Sequence, residues 1–201
     1  MTSKEITEMY YAYVFDLNKD VVLEIAPKCA EGEFLVIKRL APPSNIPHLF
    51  FHLFAPFGFY RYSLIDSKSG EEAAYVSTIR WNPQFDFIHR FGGGLHIGPD
   101  ATKEKYRGRS FHPYLISYVL REQQTNKQRN RKCYMFVLKD NIASIKGIER
   151  AGFRRCGEIV HSGYLYKLVP GTATIPVVRK SDIFWSKLFR LASKIFRHRI
   201  G

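Results

Sequence analysis

Residues 92–112 read GGGLHIGPDATKEKYRGRSFH, which joins an apolar, strand-like segment to a basic turn. The strand-like segment is residues 95–97, and the turn, residues 105–110, opens an amphipathic helix that begins near Phe111. The first turn of a helix presents unpaired amide groups and the positive end of the helix dipole, and arginine side chains add fixed charge. The stretch therefore predicts an anion-binding loop.

The composition indicates one folded domain and an anionic partner. The chain has 201 residues, of which 45% are hydrophobic and 15% aromatic, enough to build a buried core. The formal net charge is +13 and the isoelectric point is about 9.7. Nucleic acid, an acidic membrane surface and a phosphorylated cofactor all suit this charge, and charge alone does not distinguish them.

Cysteine usage and the N-terminal sequence predict a cytoplasmic protein without a metal site. Cys29, Cys133 and Cys156 are widely spaced and form no CxxC pair, which argues against a disulfide framework or a zinc site. The N-terminus carries acidic residues and lacks the apolar run of a signal peptide. The longest apolar stretch, residues 46–60, is short for a membrane span and is broken by prolines.

The pattern of apolar residues predicts strands interrupted by two helices in the second half of the chain. Two segments are less clear, because residues 21–26 fit a helix or a strand and residues 46–55 fit a short helix. One helix covers about residues 110–123, and the other is capped by Asp140 and Asn141 and ends at Gly152. Strands are predicted over residues 10–17, 33–40, 59–66, 71–81, 133–138, 153–161 and 164–169.

This order predicts an α/β fold with a mixed sheet. A strand–helix–strand crossover in the middle of the chain requires a parallel pair, whereas the hairpins on either side are antiparallel. We expect a domain over residues 1–170, a linker over residues 171–180 and a tail over residues 181–201. The tail has the pattern of a basic amphipathic helix, which fits either an anionic membrane surface or packing on the domain or a partner.

Two segments resemble the GNAT superfamily of acyl-CoA-dependent acyltransferases. The first, residues 106–112 (YRGRSFH), is similar to the family's pyrophosphate loop, commonly RGxGxG. Arg107, Gly108 and Arg109 match it, whereas Ser110 and His112 stand where glycines are expected. With the flanking strands, the resemblance covers roughly residues 59–169 and implies a mostly antiparallel sheet with a central, splayed parallel pair.

The second segment, residues 141–153 (NIASIKGIERAGF), is similar to the family's N-x-x-[SA]-x-x-x-[YF]-x-K-x-G-F pattern. Its matching residues are Asn141, Ser144, Gly152 and Phe153, and Arg150 stands where lysine is usual. In the family this asparagine contacts the cofactor and also caps a helix. The two segments, separated by a helix and a buried strand, reinforce each other.

The resemblance implies acetyl-CoA, or another acyl-CoA, as the cofactor. The pantetheine arm would pair with backbone groups where the central strands splay, and Gly98 and Pro99 suit a bulge there. A backbone amide near Asp100, Ala101 or Thr102 would polarise the acyl carbonyl. The implied contacts of the pyrophosphate and the rest of the cofactor are Arg107, Gly108, Arg109, Ser110, Phe111, His112, Asn141 and Ser144.

Transfer to an amine needs a base for its proton and an acid for the departing thiolate. His96 ranks first as the base, because its neighbours Leu95 and Ile97 point to the opposite strand face, and Asp100 ranks second. A structural role is the alternative for each. The family's usual acid is a tyrosine where this chain has Ile148, so the thiolate leaves unassisted or another group protonates it. Other candidates are Asp86 and His89 as bases and Tyr114 and Tyr164 as acids.

These features together predict an acetyltransferase that acts on an amine by direct attack in a ternary complex, without a covalent enzyme intermediate. The tail favours an amino sugar or an envelope-linked amine as the acceptor, while protein amines, small amines and hydroxyl groups remain open. A non-catalytic module that binds CoA or a partner is the second hypothesis. A nucleic-acid-binding protein is the third and is less favoured, because the basic residues concentrate in the connector, residues 124–132, and the tail.

Overall fold

The computed structural model describes residues 8–40, 59–80, 85–125, 132–162 and 165–177. The predicted helix over residues 46–55 and the tail over residues 181–201 lie outside these ranges. The helices are α1 (Asp86–Arg90), α2 (Phe111–Thr125) and α3 (Ile142–Arg150). The strands are β1 (Glu8–Asp16), β2 (Phe34–Leu40), β3 (Tyr60–Asp66), β4 (Glu72–Ile79), β5 (Leu95–Thr102), β6 (Lys132–Leu138), β7 (Arg154–Ser162) and β8 (Leu165–Leu168).

The described strands form one eight-stranded sheet in the order β2-β3-β4-β5-β6-β1-β7-β8. Neighbouring strands are antiparallel except β5 and β6, which are parallel. The predicted mixed, mostly antiparallel α/β fold is therefore confirmed, and both long helices lie close to their predicted bounds. Residues 21–26, predicted as a helix or a strand, form neither.

The parallel pair is joined only at its start. Leu95 pairs with Cys133 and His96 with Tyr134, after which β5 continues to Thr102 without a β6 partner in the described chain. Gly94 permits the close approach at this point, because a Cβ there would lie 2.5 Å from the Tyr134 ring. The two strands therefore diverge, as expected for a splayed pair.

A bulge interrupts β5 where the divergence begins. On β4, Thr78 pairs with Ile97 and Val76 pairs with Asp100, so the two β5 residues between them face one β4 residue. Those two residues are Gly98 and Pro99, and a proline has no amide hydrogen to give to the ladder. The predicted bulge is confirmed.

Two apolar cores lie on the two faces of the sheet. The first packs α2 and α3 against the sheet, and the second packs α1 against strands β1, β6, β7 and β8. Each fully buried apolar side chain stabilises the fold by about 1.5–3 kcal/mol. The first core includes Tyr13, Phe15, Leu95, Ile97, Phe111, Leu115 and Ile148, and the second includes Tyr10, Val14, Phe85, Phe87, Phe91 and Tyr134.

The N-terminal strand is central rather than peripheral. β1 lies between β6 and β7, and Ala12 and Phe15 are fully buried. The chain then crosses α2, where the Ser117 hydroxyl donates to the Leu23 carbonyl and the Lys28 amide donates to the Arg109 carbonyl at 2.8 Å. Residues 17–30 therefore run along α2 and end beside the predicted anion loop.

Among the described residues, no helix is long and apolar enough to cross a bilayer. Residues at the start of the predicted linker pack on β7: the Thr174 amide donates to the Cys156 carbonyl at 3.0 Å, and the Glu158 amide donates to the Thr172 hydroxyl at 3.0 Å. This part of the chain extends the folded unit past the last strand.

Candidate functional site

The gap that opens where β5 and β6 diverge, called the cleft below, lies beside the first turn of α2. The β5 residues beyond the bulge, Asp100, Ala101 and Thr102, border it. Asp100 contacts His112 in the first turn of α2, and His112 in turn packs against Gly147 of α3. The structure thus brings the predicted loop and the predicted β5 residues together at one cleft.

The loop before α2 has the backbone conformation of a glycine-rich turn although one glycine is replaced. Gly108 has φ of +79° and Ser110 has φ of +62°, both in the left-handed region that side chains disfavour. The Ser110 hydroxyl accepts a hydrogen bond from the Arg150 guanidinium at 3.0 Å. Ser110 therefore takes the conformation expected of glycine and adds a bond to α3.

The loop presents a run of free amides at the helix N-terminus. The Arg107 amide donates to the Glu104 carbonyl at 3.1 Å, and the Ser110 carbonyl accepts from the Tyr114 amide at 3.1 Å. Within the described ranges, the amides of residues 108–112 have no acceptor. Unpaired amides at a helix start are the donors that bind phosphate groups. Of the predicted amide contacts, Arg107 is already used, and Gly108, Arg109, Ser110, Phe111 and His112 are available.

The two loop arginines differ in their partners. Arg109 forms an ion pair with Glu33 at 2.9 Å, and its carbonyl holds the Lys28 amide, so it anchors the loop to residues 28–33. Arg107 is exposed and has no carboxylate partner in the described chain. Arg107 is therefore the loop cation that is free to meet an anion.

The other basic residues of this region are largely neutralised. Lys103 and Lys105 both pair with Glu71, and their hydrogen bonds lower the pKa of Glu71 to about 2. Tyr106 is buried and donates to Asp66 at 2.9 Å, which fixes the turn to the β3–β4 hairpin. The turn is basic in sequence, but Lys103 and Lys105 pair with Glu71 and so help to hold the turn in place.

Lys28 is a candidate binding residue that the sequence did not indicate. Its backbone is bonded to the loop, and its side chain is exposed without a carboxylate partner among the described residues. The contact joins Lys28 to Arg109, which lies far along the chain. No local pattern marks a contact of this kind, because it depends on the path of residues 17–30 over α2.

Asn141 is the N-cap of α3, as predicted. Its side-chain oxygen accepts from the Ser144 amide at 3.1 Å. The contact of Asn141 and Ser144 with a cofactor stays a prediction. Ile148, at the position of the family's usual acid, is 1% exposed in the first core and has no proton to give.

His96 lies on the other face of β5 from the cleft loop. Leu95 and Ile97 point into the first core, as predicted. The His96 ring instead stacks on Phe136, with ring centroids 4.8 Å apart, and contacts Phe85 edge-on, with centroids 4.3 Å apart. Burial lowers the pKa of His96 to about 3, with a small opposing effect from Asp100. The ring is therefore neutral at physiological pH and a weak base, and its Nδ1 has no hydrogen-bond partner among the described residues.

The remaining candidates for the base and the acid lie on α1, on α2 or outside the described residues. Tyr114 is half-buried on α2, and burial raises its pKa. Asp86 and His89 lie on α1, and Tyr164 lies outside the described residues. In the described ranges, no group of three or more His, Cys, Asp or Glu side chains is placed to hold a metal ion. All three cysteines are free thiols.

Comparison with known proteins identifies the fold. No protein-family model and no curated protein matches the sequence. A tandem GNAT protein from the clavulanic acid biosynthesis pathway matches with a TM-score of 0.53 at 13% identity, over 75% of this chain and 51% of that chain. A Drosophila protein solved as a structural genomics target matches with a TM-score of 0.52 at 16% identity, over 83% of this chain and 52% of that chain.

These similarities show that the chain has a GNAT-like fold, as the two sequence segments predict. The chain spans about half the length of each of the two solved structures. Identities this low establish the fold, and the activity has to be argued from the cleft.

Proposed function

We propose that this protein transfers an acetyl group from acetyl-CoA to an amine, with acetyl-CoA bound at the loop and cleft described above. The observation that carries the proposal is the run of acceptor-free amides over residues 108–112 beside the splayed β5 strand. The residues present suit the cofactor, because a diphosphate needs several donors and a nearby cation, and Arg107 supplies the cation.

Different residues of the chain would bind different parts of acetyl-CoA. The amides of residues 108–112 and the Arg107 side chain would hold the pyrophosphate, and Lys28 adds positive charge nearby. Asp100 and Thr102 offer backbone groups on an edge that β6 leaves unpaired, whereas the backbone of Ala101 faces Tyr75 of β4. One of these amides would polarise the acyl carbonyl, as in an oxyanion hole. When bound, acetyl-CoA supplies an acetyl thioester that an amine can attack.

We assign the base to Asp100 ahead of His96. Asp100 borders the cleft and keeps part of its carboxylate exposed, whereas His96 is sealed among aromatic rings with its pKa lowered to about 3. No acid occupies the position of Ile148, so the thiolate leaves without a proton from that position. A thiol is acidic enough for this route.

Titration calorimetry of the full chain with acetyl-CoA tests the binding half of the proposal. We expect one-to-one binding, with coenzyme A competing. The catalytic half is tested by thiol release from acetyl-CoA with a panel of amines, using the protein without amine as the blank. Absence of binding at high micromolar acetyl-CoA contradicts the proposal as a whole.

A non-catalytic module that binds CoA is the second candidate function. The observation that favours it is the absence of an acid at Ile148 together with the depressed basicity of His96. Binding of acetyl-CoA without turnover on any amine of the panel would establish this candidate. Turnover that Asp100→Asn lowers would exclude it.

We further propose that the basic tail, residues 181–201, brings the enzyme to an anionic membrane surface and so to a lipid-attached or envelope-linked amine. The proposal rests on the alternation of apolar and basic residues in the sequence. A full-length variant with Lys187, Arg190 and Lys194 changed to Gln tests it by flotation with anionic vesicles. We expect the wild-type chain to float and the variant to remain below. Equal recovery of the two removes the proposal.

A further inference from the structure

His112 contacts both β5 and α3 beside the cleft. Its Nε2 lies 3.2 Å from the Asp100 carboxylate on β5. On the other side its ring packs on Gly147 of α3, where an added Cβ would lie 2.6 Å from His112 Nδ1. The imidazole therefore connects β5 to α3, the helix that follows β6 in the chain.

The contact of His112 with Asp100 is short, but the two groups are not aligned for a hydrogen bond. The His112 Nε2 is buried and, in the part of the chain that the structure describes, meets no acceptor in hydrogen-bonding geometry, although the carboxylate is near. The two side chains expose only 16% and 23% of their surface, so water has little access to either. A buried polar atom without an aligned partner is held weakly, because its desolvation is not offset.

A second contact holds the loop against the same helix. Arg150, one turn beyond Gly147 on α3, donates to Ser110 at 3.0 Å. Ser110 and His112 are the two residues that stand where the resemblance leads us to expect glycine. Both substitutions therefore add contacts between the loop and α3, and both narrow the space between them.

We infer that the His112 side chain is a plug in the cofactor cleft, which acetyl-CoA must displace to bind. This inference rests on the proposed function, because the cleft has to be the route of the cofactor arm. Binding then requires a conformation in which the imidazole has left Asp100 and Gly147. The apparent affinity is reduced by the fraction of molecules in that open conformation.

Acetyl-CoA binding to three full-length proteins tests the plug: wild type, His112→Ala and His161→Ala. His161 is the matched control, since it is a partly exposed histidine on β7 beside Glu8 and outside the cleft. If the open conformation is populated at about one in ten, His112→Ala binds roughly tenfold more tightly, mainly through a faster association rate. The His161→Ala variant binds like the wild type.

The outcomes separate the plug from the proposed function. Wild-type binding with equal or weaker binding by His112→Ala overturns the plug and leaves the proposed function intact. Weak binding by the wild type with roughly tenfold tighter binding by His112→Ala supports both. Absence of binding by all three proteins overturns the proposed function, and the plug with it.

The stability of Gly147→Ala variants tests the contact of the His112 ring with α3 without any ligand. In the wild-type background, the added methyl collides with the His112 ring and lowers the melting temperature. In the His112→Ala background, the same change is tolerated and even favourable, because alanine is a better helix former than glycine. An equal loss of stability in both backgrounds shows that the imidazole is not wedged against α3.

Discussion

His96 on β5 and His112 on α2 lie at opposite faces of β5 close to the bulge, and the two differ in surroundings. His96 lies between Phe85 and Phe136 on a buried aromatic face, and its Nδ1 has no partner in the described ranges. His112 reaches the other side of the strand from α2 and contacts Asp100 at a cleft lined by free amides. The first histidine belongs to the packing of the fold, and the second to the place where a ligand would bind.

This difference indicates that the two faces of β5 have separate roles, one in the stability of the fold and the other in the proposed binding of a ligand. The aromatic face excludes water, so it can hold a neutral ring but not a charge. The cleft face retains a cation and unpaired donors, which are groups that bind an anionic ligand, and a carboxylate that can accept a proton. Variants on the two faces should therefore change different quantities.

The largest expected effect is on the aromatic face. Phe85→Ala removes a ring that contacts His96, Phe136 and Tyr166, and we expect the free energy of unfolding to fall by about 3–5 kcal/mol. Urea unfolding measures this loss. The folded protein should keep the wild-type affinity for acetyl-CoA. Leu40→Ala, at an exposed site on β2, is the control and should leave stability nearly unchanged. A large loss of acetyl-CoA affinity in folded Phe85→Ala would break the separation of the two faces.

The second effect is the acid sensitivity of the same face. The pKa of His96 is about 3 in the folded protein and 6.5 when the group is unperturbed. Between these values the unfolded chain binds a proton that the folded chain does not, so stability falls as pH falls. The slope from this group approaches about 1.4 kcal/mol per pH unit. His96→Phe, which keeps a ring on Phe136, should lose less stability than the wild type between pH 6.5 and 4.5. Parallel stability curves for the two proteins would show that His96 is not buried in the neutral form.

The third effect concerns the cleft face. Arg107→Gln should weaken acetyl-CoA binding roughly tenfold, because a charge-assisted contact with the pyrophosphate is lost. The melting temperature should stay the same, since Arg107 is exposed and pairs with no carboxylate in the described chain. Arg121→Gln, at the far end of α2, is the matched control and should bind normally. Equal affinities of Arg107→Gln and wild type would remove Arg107 from the site.

The smallest effect is at Ser110 and sharpens the account of the loop. Ser110→Gly relieves the left-handed backbone but loses the bond to Arg150, so the two changes nearly offset each other. Ser110→Ala keeps the backbone strain and loses the bond, and should lower the free energy of unfolding by about 1 kcal/mol. Thermal unfolding of the two variants measures the difference. If Ser110→Ala is more stable than Ser110→Gly, the left-handed backbone at Ser110 does not destabilise the protein.

Local signals in the sequence predicted much of the fold and of the loop. Asn141 as a cap, Gly108 in a turn, and the bulge at Gly98 and Pro99 each depend on neighbours close in the chain. The parallel pair followed from the strand–helix–strand order. These features are fixed by backbone chemistry that a short stretch determines by itself.

The rest depended on contacts between distant segments. Nothing in residues 8–16 indicates that β1 enters the middle of the sheet between β6 and β7. The pairing of Arg109 with Glu33, and of His112 with Asp100, is set by how α2 sits on the sheet. His96 was ranked as a base because strand alternation gives its face, but alternation does not show that the face is covered by aromatic rings.

Hydrogen exchange of the loop amides is the most direct test of the central claim that residues 108–112 hold acetyl-CoA. These amides have no acceptor in the described chain, so they should exchange quickly in the free protein. Saturating acetyl-CoA should slow their exchange markedly, while the amides of β1 and β7 stay unchanged. Binding measured by calorimetry without any slowing at residues 108–112 would contradict the claim and move the site elsewhere on the molecule.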